Sequence, residues 1–301
     1  MTKILILGGG GMVGQKLANH LLAIGLPGHK TLDITLFDMA FPLKQDGRLR
    51  CITGSLTDAQ NITMLAQLRP DLVFHLASIV SGEAESNFDA GWQVNMFTMW
   101  HYLEALRKLH IDTGGTYVPK IIFTSSIAVF GGPFPEQIED TFLSAPQTSY
   151  GAQKASCELL LSDFSRKGFV DGISLRLPTI CVRPGKANLA ASSFFSGIIR
   201  EPLNGQKAIL PVDESVRHWH ASPRAAAGFL RHAATLDSRL LENRRALNLP
   251  GVSCTVAEQI EALRRAAGQS VVNLIEHRPD GTIINIVSSW PRNFTAQRPQ
   301  I

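Results

Sequence analysis

Tyr150 and Lys154 stand four residues apart in a stretch of helical character, which puts both side chains on one face of one helix. A phenol and an ammonium so placed can move a proton. A free tyrosine titrates near 10, so forming its phenolate near neutral pH takes about 4 kcal/mol of stabilisation, which adjacent positive charge can supply. Of the three tyrosines only this one has lysine at the fourth following position; Tyr102 has Leu106 and Tyr117 has Ile121. The pair follows a strand-like run ending in Thr124-Ser125-Ser126, whose hydroxyls would emerge at the same edge.

A second constellation lies at the amino-terminal end. Lys3 to Leu7 is an apolar, β-branched run, and Met12, Val13, Leu17, Leu21 and Leu22 then recur at helical spacing. Gly8, Gly11 and Gly14 therefore fall between a strand and a helix, where glycine lets the backbone turn tightly and approach a pyrophosphate at the helix N-terminus. Met12 and Val13 join them as candidate cofactor contacts. Asp38 ends the second strand-like run, 24 residues beyond Gly14, near the distance at which an acid holds the adenine ribose hydroxyls. An aspartate there repels a 2′-phosphate, which favours NAD over NADP; the alternative is a turn residue that merely ends a strand. Asp58 stands where a third strand gives way to a helix and reads equally as a plain cap or as part of a segment contacting adenine. His75-Leu76-Ala77-Ser78 closes the fourth strand at the carboxyl edge, where open α/β sheets bind ligands, with Leu76 and Ala77 as candidate contacts. His75, inside an apolar run, reads as a core histidine. An oxidised nicotinamide at this edge would add to the positive charge beside Tyr150.

The elements that must position these groups alternate regularly. Strand-like runs at 3–7, 34–37, 49–53, 72–76, 121–124 and 173–177 are interleaved with or followed by helical stretches near 58–68, 86–110, 147–167 and 222–235. Successive βα units predict a doubly wound parallel sheet with helices on both faces, a Rossmann α/β domain over 1–177 with parts of 216–250. Past Arg176, prolines at 178, 184, 202, 211, 223 and 250 break the rhythm, and most of 178–301 reads as a smaller substrate-binding lobe.

Composition excludes several classes. With 45% hydrophobic and 18% charged residues, the 301-residue chain is neither disordered nor fibrous. Its net charge of +4 is dispersed, with Arg244-Arg245 and Arg264-Arg265 the densest basic spots, so no nucleic-acid partner is expected. No stretch reaches the 18 or so apolar residues of a membrane span. The four cysteines include no C-x-x-C pair and no nearby histidine, so they read as buried thiols of a reducing, cytoplasmic compartment with no metal site.

In order and spacing, the glycine-rich first turn, the His-Leu-Ala strand end, Ser125-Ser126 before Val129-Phe130-Gly131, and Tyr150-x-x-x-Lys154 resemble the extended short-chain dehydrogenase/reductase family. The resemblance implies Ser126 as the serine that holds the substrate oxygen, Tyr150 as acid/base and Lys154 on the nicotinamide ribose. It places Asn95 at the family's asparagine position, and Pro178 and Ile180 in the segment running past the nicotinamide. Phe130 departs from the tyrosine of many relatives. Longer stretches, His75 to Glu85, Pro146 to Lys154, Leu175 to Ile180 and Ala191 to Leu203, are similar to family members that oxidise four-carbon sugar acids. That likeness implies NAD-dependent oxidation of a C2 hydroxyl with Tyr150 as general base, and a homodimer through paired helices 86–110 and 147–167. Relatives continue with further helical residues after Ser289-Trp290-Pro291. For an anionic substrate, Arg183 and Ser81 rank first as contacts, ahead of Arg217 and of Ser192 and Ser193 at a helix start; for each arginine a surface ion pair is the alternative. Two other activities compete: nucleotide-sugar epimerisation with tightly held NAD, and non-catalytic NAD binding by a regulator. Dehydration is disfavoured because Ile127 and Ala128 occupy the positions of that chemistry's Asp-Glu pair.

Overall fold

The computed structural model describes residues 1–185 and 190–295. The chain opens with β1 (Thr2–Leu7), α1 (Met12–Ile24), β2 (Leu32–Asp38), β3 (Leu49–Thr53), α2 (Ala59–Gln67) and β4 (Leu72–His75). Next come α3 (Ser81–Ser86), α4 (Phe88–Trp92), α5 (Thr98–Asp112), β5 (Lys120–Ser126), α6 (Ser149–Arg166) and β6 (Asp171–Leu177). The remainder holds β7 (Thr179–Ile180), α7 (Ser193–Leu203), β8 (Ala208–Leu210), β9 (Arg217–Ala221), α8 (Pro223–Thr235) and β10 (Ala246–Asn248), then β11 (Val252–Thr255), α9 (Val256–Ala267), α10 (Gln269–Val272), β12 (Ile275–His277) and α11 (Gly281–Ser288).

Seven strands form one parallel sheet in the order β3-β2-β1-β4-β5-β6-β10. Parallel strands buried on both faces read as continuous apolar runs, which is why the strand-like runs lie within or near the observed strands. On one face Ile4, Ile6, Ile34, Leu36 and Phe74 meet Leu17 and Leu21 of α1 and Leu230 of α8. On the other, Leu5, Leu7, Val73, Ile121 and Phe123 meet Leu65 of α2, Tyr102 and Leu106 of α5 and Leu161 of α6. The strand order reverses between β1 and β4, so the crevice at their carboxyl ends is the natural ligand site of such a sheet.

A three-stranded sheet, β11-β9-β7, and a two-stranded one, β12-β8, make up the smaller region. Phe195, Ile198, Leu210, Val212, Val256, Ile260 and Val287 give it a separate core. Between its pieces α8 packs on α1, and β10 joins the edge of the large sheet beside β6.

Two expectations need correction. The stretch 86–110 is continuous helix only from Phe88: Asn87 ends α3 and caps α4, and the helix then runs on to Asp112 through a π-helical turn over Gln93–Phe97. Apolar periodicity does not register the extra residue of such a turn. Nor are the cysteines uniformly buried, since Cys51 is exposed and Cys181 and Cys254 are partly so. Among the described residues no helix is long and apolar enough to cross a membrane. The last residues, 296–301, lie outside the described chain, and so does the end of the terminus compared with relatives above.

Candidate active site

A cavity of about 650 Å³ opens at the carboxyl ends of β1, β4, β5 and β6, between the large sheet and the smaller region. The glycine turn forms one end. Gly8 has φ +83°, and a Cβ there would lie 2.6 Å from the Ala77 amide nitrogen, so only glycine lets the ends of β1 and β4 approach this closely. Gly8, Gly11, Met12, Val13, Gly14 and Leu76 all line the cavity. Gly11 caps α1 with no side-chain hydrogen bond to the helix amides, which leaves the N-terminus able to receive an anion.

Asp38 is half-buried at the end of β2, Oδ2 accepting from Gly10 N–H at 2.9 Å and Oδ1 from Met39 N–H at 2.7 Å. Each carboxylate oxygen keeps a further lone pair, so the group can still take two hydroxyls. These features fit a dinucleotide: an uncapped helix start for the pyrophosphate, a close glycine turn, and an acid at the neighbouring strand end. Asp58 behaves otherwise. It is exposed and caps α2, accepting from Gln60 N–H at 2.8 Å, so the structure supports the plain cap.

Tyr150 and Lys154 line the same cavity. Thr148 caps α6 through Gly151 N–H at 3.1 Å, and a Cβ on Gly151 would come within 2.1 Å of the Ala128 carbonyl. That contact draws the start of α6 against the turn after Ser126 and brings Tyr150 to the same cavity wall as Ser126. Ser126 Oγ accepts from Ala128 N–H at 3.1 Å, which directs its O–H away from that turn. Lys154 is 1% exposed; its Nζ donates to the Thr124 carbonyl at 2.9 Å and sits 5.5 Å from the centre of the Tyr150 ring. Beneath them Glu158, one turn further along α6, takes the Ser125 hydroxyl and a bidentate pair with Arg176 at 2.7 Å. Arg176 in turn reaches Asn248 of β10 at 3.3 Å, so a buried network ties β5, α6, β6 and β10 together.

Asn95 does not line the cavity. It is 1% exposed in the π-helical turn; its Oδ1 accepts from Ile79 N–H at 2.9 Å and its Nδ2 donates to Gln153 Oε1 at 2.7 Å. These bonds are internal, so the asparagine ties the segment after β4 to α6. His75 is buried and stacked edge-on with Phe123; desolvation, then the charge of Lys154, pushes it down to about 3, so it is neutral. Ala77 meets Gly8 through its backbone.

Pro178, Thr179, Ile180, Arg183 and Ser192 also line the cavity, with Ser81 at the start of α3. Arg183 is held by its Nε on the Ile180 carbonyl at 3.1 Å. Burial pulls the titration of its guanidinium downward, the mark of an under-solvated cation that gains from an anion. No ion pair among the described residues engages it. Arg200 also reaches the cavity and clamps the Arg183 carbonyl at 2.8 Å, while pairing with Glu201. Arg217 instead faces Glu258 at 3.4 Å, largely exposed, the surface-pair alternative.

Sequence reasoning missed Arg200, Thr179, His218 and the outer wall of Ile286, Ser289, Trp290 and Pro291. For Arg200 a signal existed, a charge at a buried-face position of α7 between Ile198 and Pro202. The outer wall carries none, because its one segment, near the end of the described chain, reaches the site only through the tertiary fold. Among the described residues no cluster of histidine, cysteine or acid side chains is arranged to hold a metal ion.

Comparison with known proteins agrees with this geometry. The profile of the NAD dependent epimerase/dehydratase family matches residues 4–247. The chain is 46% identical to the D-erythronate dehydrogenase of Cupriavidus necator, over 98% of this chain and 91% of that protein. It is 44% identical to the D-erythronate dehydrogenase of Haemophilus influenzae, over 96% and 90% respectively. A solved structure named as the nucleoside-diphosphate-sugar epimerase from Agrobacterium tumefaciens superposes with TM-score 0.93 at 50% identity, covering 99% of this chain and 88% of that one.

Proposed function

Because the chain belongs to the NAD dependent epimerase/dehydratase family, we propose that it is an NAD-dependent dehydrogenase that oxidises D-erythronate at C2 to the 2-keto acid. The observation that carries this reading is the near-full-length identity, 46% and 44%, to two D-erythronate dehydrogenases. The cavity supports it, because Arg183, which has no ion-pair partner among the described residues, lines it together with Tyr150 and suits a small carboxylate.

The chemistry follows from the positions of the side chains. NAD, when bound, would supply the hydride acceptor; the Gly8–Gly14 turn, Asp38, Pro178 and Ile180 are the residues that would hold it. The Asp38 carboxylate would lie against a 2′-phosphate, which selects NAD over NADP. Ser126 donates to the C2 oxygen and holds it beside Tyr150. Tyr150 then takes the C2 hydroxyl proton, a positioned acid/base step worth about 10²- to 10⁴-fold. Lys154, anchored on the Thr124 carbonyl, keeps a positive charge beside the phenolate and would hold the nicotinamide ribose. Arg183 receives the carboxylate, and Ser81 lines the same cavity. The protein works as a homodimer through α5 and α6, on which Trp100 and Leu159 are exposed apolar side chains.

The test is NADH formation at 340 nm with NAD, then NADP, over D-erythronate, L-threonate and UDP-sugars. Rapid reduction of NAD by D-erythronate is expected, and Tyr150→Phe should lower turnover by orders of magnitude with NAD affinity nearly unchanged. A second reading, nucleotide-sugar epimerisation, is favoured by the name of the Agrobacterium structure at 50% identity. Turnover of a UDP-sugar with silence on the acids would establish it instead.

A further inference from the structure

His218, on β9, is 2% exposed and lies between the Phe195 ring, stacked at 5.2 Å, and Trp290, also at 5.2 Å. Its two nitrogens have fixed and opposite roles. Nδ1 lies 3.0 Å from the Pro291 carbonyl oxygen, which can only accept, so Nδ1 carries the proton. Desolvation, reinforced by His220, pushes the imidazole down to about 3, so the ring is neutral and Nε2 presents a lone pair. Thr179 Oγ1 sits 2.7 Å from that lone pair and must donate to it. A threonine hydroxyl has one proton. With that proton committed to His218, the oxygen of Thr179 can only accept.

Thr179 and His218 both line the cavity that holds Ser126, Tyr150 and Arg183. The cavity lining therefore carries groups of opposite hydrogen-bonding character: Arg183 offers donors only, Thr179 an acceptor only. We propose that Thr179 is a specificity-determining contact that accepts a hydrogen bond from a substrate hydroxyl beyond the reacting carbon, and that His218 is the positioning residue that fixes this polarity. The arrangement orients a short hydroxy acid. Its carboxylate is drawn to Arg183, and the reverse placement would set carboxylate lone pairs against the Thr179 oxygen. The inference rests on the dehydrogenase reading above and adds which end of the substrate is read, and by what.

The test measures kcat/KM with D-erythronate, 2,4-dihydroxybutanoate and 2,3-dihydroxybutanoate, which lack the C3 and C4 hydroxyls respectively, together with NAD affinity by fluorescence titration. The wild type should discriminate against one of the two deoxy acids by about 10-fold, the size of one hydrogen bond. Thr179→Val should lower kcat/KM for D-erythronate by about 10-fold, leave that deoxy acid unchanged and so erase the discrimination, with NAD affinity kept. Thr179→Ser should retain it. His218→Phe keeps the ring packing but removes the acceptor, and should weaken the discrimination although Thr179 is present. Unchanged discrimination in Thr179→Val overturns the assignment, as does a parallel loss of NAD affinity, which would place the contact on the cofactor. Absence of NADH from the wild type on all three acids is a different failure, that of the dehydrogenase reading itself, and overturns both.

Discussion

Replacing Lys154 by methionine keeps the aliphatic stem and removes the charge. The Lys154 Nζ lies 5.5 Å from the Tyr150 ring centre, and unit charges at that separation attract by about 3 kcal/mol at an effective dielectric constant of about 20. That energy corresponds to about two decades in rate. The variant should therefore lose on the order of 10²-fold in kcat at pH 7, measured as NADH formation with NAD and D-erythronate both saturating. Saturation separates this effect from any loss of the ribose contact. The deficit should shrink between pH 7 and pH 10, because solvent hydroxide takes over part of the driving force for forming the phenolate. Stability should change little, since the substitution orphans the Thr124 carbonyl but also removes a desolvated cation, and the two act in opposite directions. A kcat within threefold of wild type at pH 7 would refute the electrostatic role, as would a deficit constant across the pH range.

Asp38→Ala should weaken NAD binding by about 10- to 100-fold, the range for hydrogen bonds to a charged acceptor, and NADP less; equal losses in a fluorescence titration would count against the ribose contact. Arg176→Met strands the buried Glu158 carboxylate and should cost about 3–5 kcal/mol in urea unfolding, whereas adding Glu158→Leu should restore part of it. If the double variant were the less stable, the stranded-charge argument would be wrong. Acid should destabilise the fold through three buried histidines, His75 and His218 held down to about 3 and His220 to about 4. All are neutral in the folded chain at pH 5, while unfolded histidines, titrating near 6.5, are charged; the unfolded state binds more protons, so stability falls as pH falls. The loss is about 2 kcal/mol per histidine between pH 7 and pH 5, and equal urea midpoints at the two pH values would refute it.

Most of the large sheet was legible because its strands are buried on both faces and so appear as apolar runs, as in Lys3 to Leu7 and Ile121 to Thr124. Local spacing likewise exposed the glycine turn and Tyr150 with Lys154, since a turn and a helical face are short-range objects. What lay hidden depends on distance in the chain. The pairing of Thr179 with His218, and of His218 with Pro291, joins residues 39 and 73 positions apart and leaves no pattern in either neighbourhood. Asn95 could be found, but its work could not. Only the π-helical turn shows that its amide points inward to Ile79 and Gln153. Asp58 shows the opposite difficulty, a motif position whose visible contact is with its own helix.

The chain leaves the large sheet at Leu177, contributes β7 and β9 to the smaller region, returns as α8 and β10, and leaves again for β11. This back-and-forth path decides how substrate preference can be exchanged between relatives. One crossover at Pro178 would export α8, which packs on α1, and β10, which completes the edge beside β6. A recombinant that keeps its dinucleotide half intact therefore needs three junctions: after Leu177, before Ser222 and after Leu249. The strands β7, β9 and β11 must come from the same parent, because they pair only with one another. Inheritance of the smaller region is in this sense all or none, although its pieces are scattered along the chain.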